Sequence, residues 1–140
     1  MVVLNVMAPI GQTFDGPPLR DALENAGLRA GDMQLYHYRA EGQPPDSQPI
    51  FSALNVIKPG TLPPQAFEGM RTPGVALVLR LPGPERPREA FELMYGTATG
   101  IAQELGGRLC DDTRSSLTGQ ALNHLRERIA ELARRQRAGG

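Results

Sequence analysis

Cys110, Asp111 and Asp112 set a thiol beside two carboxylates, and His37 and His124 are the two histidines available to activate it. A cysteine nucleophile needs a base within hydrogen-bond reach and a further group to orient that base. Neither histidine sits in a motif that provides this. Neighbouring residues of a strand point to opposite faces, so Asp111 and Asp112 converge only if the chain bends. The run is therefore read as structural, anchoring the turn into the last helix. No set of His, Cys and carboxylate residues has metal-ligand spacing, so no metal and no cofactor is expected. The glycines of "GTATG" and "GG" fall within and after a helical pattern and do not make a phosphate loop. Reactive groups give no enzyme here.

The elements that carry these residues offer something else. "VVLNVM" (2–7), rich in β-branched residues, "DMQLYHY" (32–38), which alternates, "FSALNVI" (51–57), the strongly apolar "VALVLRL" (75–81) and the short "RLCD" (108–111) read as strands. "PPLRDALENAG" (17–27) reads as a helix with proline in its first turn, a stripe of Leu19, Leu23 and Ala26, and Gly27 as its stop. "RPREAFELMYGTATGIAQELGG" (86–107) is the clearest helix, with Phe91, Met94, Ala98, Ile101 and Leu105 at helical spacing and Gly106 ending it. "LTGQALNHLRERIAELARRQ" (117–136) is a third, capped by Thr118, with Leu122, Leu125, Ile129 and Leu132 as its stripe. Residues 41–49 and 58–74 are punctuated by proline and glycine and read as irregular connections, the second anchored by Phe67.

Each helix has one apolar face, so all three can pack on the same side of one sheet as a two-layer α+β domain. Alternation assigns Val2, Leu4, Val6, Phe51, Ile57, Leu77, Leu79 and Leu81 to the helix-facing core, with Asn55 on that side bonded to backbone. The opposite parity is apolar too: Val3, Met33, Leu35, Leu54, Val56, Ala76 and Val78. A sheet with one wet face avoids this. A large apolar patch left in water marks an interaction site, or a face that dimerises or packs on another domain.

The 140 residues suffice for a single domain spanning 1–140, and 15 basic residues balance 15 acidic ones to zero formal charge. No broad basic field is present to attract nucleic acid or an acidic membrane. The outer face lacks the aromatic platform of RNA-recognition sheets, and glutamates interrupt the arginines of the last helix. A single cysteine excludes an internal disulfide and suits a reducing compartment. No apolar run approaches the ~20 residues that span a bilayer. The start at "MVVLNV", directly in a strand, is expected for a domain excised from a longer protein.

The stretches "AGLRAGDMQLYHY", "PIFSALNVIKPGT", "TPGVALVLRLP" and "AQELGGRLCDD" fall in the order and spacing of one family. The chain resembles the C-terminal FtsZ-binding domain of the bacterial cell-division protein ZipA, from about Val2 to about Arg135. The resemblance implies a six-stranded, mainly antiparallel sheet with three helices on one face and the other face open. It implies a non-enzymatic module whose outer groove binds the C-terminal tail of FtsZ, the tubulin-like division protein. Carried over by position, the groove is lined by Val3, Met33, Leu35, Leu54, Val56, Ala76 and Val78, with Met1 at the strand's start and Lys58 at the rim. Where the family often has a large aromatic this chain has Val78, and where it has a smaller residue this chain has Leu54. Family members carry an N-terminal membrane anchor and a flexible linker, which implies work on the cytoplasmic side of the inner membrane at the division site. The domain itself is expected to be monomeric and to bind no nucleic acid. Sheet-mediated dimerisation is the alternative use of the face.

Overall fold

The computed structural model describes residues 1–139. Its strands are β1 (Val2–Met7), β2 (Phe14–Asp15), β3 (Arg29–Ala30), β4 (Tyr36–Tyr38), β5 (Phe51–Asn55), β6 (Arg71–Thr72), β7 (Gly74–Leu79) and β8 (Arg108–Cys110). Its helices are α1 (Gly16–Asn25), α2 (Pro87–Leu105) and α3 (Gly119–Gly139). Six strands form one sheet in the order β3-β4-β5-β7-β1-β8, and β2 and β6 make a separate two-stranded ribbon. Every pairing in both sheets is antiparallel. The fold is α+β, as the alternation and the one-sided helices imply.

The core lies between the sheet and the helices. Leu4, Val6, Ala53, Val75, Leu77 and Leu79 are all 0 % exposed and join Phe91, Met94, Ala98 and Ile101 of α2 in one cluster. Helix α2 crosses β1, β7 and β8, while α1 and α3 flank it. It stops at Gly106, whose φ of 66° is the left-handed conformation that glycine adopts without penalty. Thr118 caps α3 as expected, its hydroxyl accepting the Ala121 N–H at 3.0 Å. Phe67 is the predicted anchor, fully buried and edge-on to Tyr36 with ring centroids 5.6 Å apart.

The structure corrects the sequence reading in four places. Residues 32–38 are not one strand: Asp32–Gln34 form a 3-10 turn in which Met33 and Gln34 have φ of 63° and 56°, and only Tyr36–Tyr38 pair in the sheet. Tertiary hydrogen bonds outside the segment hold that turn, including Leu62 N–H to the Gln34 carbonyl at 2.7 Å. The strand opening at Phe51 ends at Asn55, because the Asn55 Oδ1 takes the Ile57 N–H at 3.1 Å and curls the chain off the ladder. Val56 therefore sits just past the strand, and Ile57 is 45 % exposed instead of being core. The sixth strand is Arg29–Ala30, two exposed residues with no apolar pattern to announce them. The connection 58–74 also contributes β6, which pairs with β2.

Candidate functional site

The outer face of the sheet is built in two rows by strand register. His37 pairs with Ser52, Ser52 with Val78, and Val78 with Val3, so these four share one row across β4, β5, β7 and β1. Leu54, Ala76, Asn5 and Cys110 form the next row across β5, β7, β1 and β8. Alternation turns these side chains away from the helices. Val3, Leu35, Leu54 and Val78 are half-buried, and Ala76 lies flush between its neighbours at 6 % exposed. The apolar face picked out by parity exists and keeps part of its surface in solvent.

At the β4 end the face sinks into a shallow hollow of about 290 Å³. Met1, Met33, Leu35 and Val78 give it apolar walls, His37 and Ser52 a polar floor, and Arg39, Arg80, Asp32 and Asp46 a charged border of both signs. Met1 and Met33 are 70 % and 79 % exposed, large apolar side chains held in water beside the hollow. Met33 reaches it from the 3-10 turn, not from a strand.

His37 ties this end together. It is 7 % exposed, its Nε2 lies 2.9 Å from the Asp32 carbonyl oxygen, and its Nδ1 lies 2.7 Å from Ser52 Oγ. A carbonyl only accepts, so Nε2 carries the proton; in the neutral ring Nδ1 then accepts from the Ser52 hydroxyl. Gly31 makes room for the ring, since a Cβ there would come within 2.8 Å of His37 Cδ2.

The other end is partly closed. After β8 the chain turns back on itself, with Leu117 N–H bonded to the Leu109 carbonyl and Asp111 N–H to the Ser115 carbonyl. Asp111 Oδ1 accepts from the Thr113 N–H at 2.9 Å, the Thr113 hydroxyl at 2.7 Å and the Ser115 N–H at 3.0 Å. The Thr113 hydroxyl bond above all holds the Asp111 carboxyl below its ordinary pKa. From this turn Arg114, at φ 67°, donates through Nη2 to the Val56 carbonyl at 3.2 Å. Strands β1 and β7 lie between β8 and β5, and their outer residues Asn5 and Ala76 are buried. Asn5 also donates to the Asp111 carbonyl at 2.8 Å.

Of the eight candidate residues, Met33, Leu35 and Val78 meet in the hollow, and Val3, Leu54 and Ala76 extend the same face. Val56 stands at the strand's end with its carbonyl engaged by Arg114, and Lys58 is an exposed residue of the following loop. Sequence reasoning did not place His37, Ser52 or Arg114 in the site. Parity carried the signal for two of them, because His37 follows Leu35 by two residues and Ser52 precedes Leu54 by two. Cys110 is fully buried, and that burial raises its thiol pKa. Asp111 anchors its turn, as the structural reading of "CDD" expects. His124 borders a different hollow, with Asp111 and Asp112.

The family model described as "ZipA, C-terminal FtsZ-binding domain" matches residues 1–128. The chain belongs to this family. Its ZipA relatives include the cell division protein ZipA of Marinobacter nauticus, 41 % identical over 99 % of this chain and 40 % of that protein. The cell division protein ZipA of Ectopseudomonas mendocina is 42 % identical over 97 % of this chain and 50 % of that protein. The chain thus spans about half the length of the ZipA proteins it matches. ZipA C-terminal domains are binding domains of cell division, not enzymes. Among the described residues, no helix is long and apolar enough to cross a membrane.

Proposed function

We propose that this domain binds the C-terminal tail of FtsZ in the apolar hollow and along the outer face from Met33 to Val56, with Lys58 at its rim. The observation that carries the reading is that Val3, Val78 and Leu54, from two adjacent rows, are half-buried on the face turned away from all three helices. Membership of a family named for FtsZ binding supplies the partner. Residues 1–140 act as one domain of a longer protein, a reading supported by the greater length of its relatives. An anchor elsewhere in that protein would hold FtsZ filaments at the cytoplasmic side of the inner membrane during septum assembly.

The tail would lie as a short amphipathic segment with its apolar side chains against the face. Burying about 500–700 Å² of apolar area at ~25 cal/mol/Å² gives roughly 12–17 kcal/mol gross. Ordering the tail and losing its free motion consume much of that. A net of about 6–8 kcal/mol, near micromolar, remains. Weak single contacts suit a polymer, because many tails on one filament hold many domains by avidity.

Titrating this chain with a synthetic FtsZ C-terminal peptide tests the proposal. Saturable binding near micromolar, little changed by salt and lost in Leu54→Asp and Val78→Asp variants that still fold, is the expected result. Steep weakening with salt would point to charge as the driving force instead. Unchanged binding in both variants would remove the groove, and self-association of the wild type through this face would favour dimerisation.

A further inference from the structure

Met33 is the most exposed apolar side chain beside the hollow, yet it stands on an unfavourable piece of backbone. Met33 and Gln34 are consecutive non-glycine residues in the left-handed region, a conformation that persists only when surroundings impose it. The surroundings are identifiable. Gln34 is held through its carbonyl by the Leu62 N–H at 2.7 Å, and Asp32 through its carbonyl by His37 Nε2 at 2.9 Å. His37 in turn belongs to the sheet, paired with Ser52 both in register and through the 2.7 Å side-chain bond. Gly31 is needed so that the turn can pass this closely over the ring.

We infer that His37 is a positioning residue for peptide binding: through the Asp32 carbonyl it clamps the 32–34 turn to the sheet and so holds Met33 over the hollow. The inference rests on the groove reading above. Its physical content is preorganisation, since a methionine already poised over the site loses less freedom when a ligand arrives. The contact with the turn needs a donor at the Nε2 position, while backbone pairing and the Nδ1 bond to Ser52 hold the ring on the sheet. Glutamine can supply one at similar reach, whereas phenylalanine fills the space with no donor.

The full chain is titrated with the synthetic FtsZ tail peptide as wild type, His37→Phe, His37→Gln, Met33→Ala and the His37→Phe/Met33→Ala double variant. His37→Phe removes both ring hydrogen bonds, to the Asp32 carbonyl and to Ser52, and weakens binding about fivefold to tenfold, whereas His37→Gln, which returns a donor to the Asp32 carbonyl, restores it to within about twofold. Because the histidine acts through Met33, the double variant binds no more weakly than Met33→Ala alone. Independently of any variant, nitrogen NMR of the unmodified protein shows the His37 proton on Nε2. A wild type that fails to bind sinks the groove reading and this inference with it. A wild type that binds, with His37→Phe binding equally well or the two losses simply adding, sinks the inference alone. A proton on Nδ1 with Nε2 bare also overturns it, and decides the matter if His37→Phe does not fold.

Discussion

The two faces of the six-stranded sheet alternate residue by residue along the same strands, yet they are held in different ways. On the inner face Leu4, Ala53, Leu77 and Leu79 are 0 % exposed and fixed by packing in the core cluster beneath the helices. One residue away on the same strands, Val3, Leu54 and Val78 are half in solvent. The outer face keeps its shape through polar residues set among them. His37 bonds Ser52 and the Asp32 carbonyl, and Asn5 bonds the Asp111 carbonyl. No buried side-chain nitrogen or oxygen among the described residues lacks a partner. Packing density fixes the inner face, and hydrogen bonds preorganise the outer one. On the proposed reading the outer face receives a ligand; a face left uncovered in the free protein is not stabilised by what covers it, so its order has to come from bonds within its own plane.

The most direct way to break this contrast is a pair of truncations at adjacent positions of β7. Leu77→Ala opens a cavity in the inner layer and destabilises the fold by about 2–5 kcal/mol. Peptide affinity measured where that variant is still folded stays near the wild-type value. Val78→Ala removes half-exposed methyl groups, costs under about 1 kcal/mol of stability and weakens the peptide severalfold. Urea unfolding and a binding isotherm on both variants separate the effects. If Val78→Ala lost more stability than Leu77→Ala, or Leu77→Ala lost more affinity while folded, the division of labour would be misassigned.

A smaller effect tests the boundary between the faces. Thr72 is fully buried; its hydroxyl donates to Asn55 Oδ1 at 2.6 Å and accepts the Gly74 N–H at 3.3 Å. Thr72→Val keeps the shape and removes both bonds, so it costs about 1–2 kcal/mol. Asn55 sets where β5 ends and hence where Val56 stands, so amide shifts of Val56 and Ile57 should move while those of Val78 do not. Disturbance spread evenly over both would show that Asn55 does not govern the strand's end.

Much of this could be read in the sequence because period and parity are local. The long helices show every third or fourth residue apolar, and both faces of β1, β5 and β7 follow from alternation. The resemblance supplied the count of six strands, which pattern alone put at five. The sixth, Arg29–Ala30, has no pattern because it is two exposed residues at an edge, paired to β4 by backbone alone. Met33 was put on the right side of the molecule for a wrong local reason. Its alternation with Leu35 and Tyr36 mimics a strand, whereas hydrogen bonds from His37 and Leu62 impose a turn. Such long-range bonds to a backbone carbonyl leave no periodic trace. Arg114 was missed for the same reason, since its partner is a carbonyl 58 residues away.

The smallest effect concerns the turn that closes the face beyond Leu54, and it is set by pH. Hydrogen bonds from Thr113 and Ser115 favour the ionised Asp111 carboxyl and lower its pKa in the folded chain. A group lowered in this way stabilises the folded turn at every pH above its unfolded value, and that contribution disappears as pH falls through the folded one. At neutral pH the turn is therefore fully held and Arg114 rests on the Val56 carbonyl. Acidification through and below the ordinary carboxylate range should loosen it, shifting the Thr113 and Ser115 amide resonances while those of Leu77 and Leu79 stay in place. Asp111→Asn keeps an acceptor oxygen and removes the titration, so these shifts should flatten in that variant. A midpoint at or above the ordinary carboxylate value would mean that the three bonds do not favour the charge, and the closed end of the face would need another explanation.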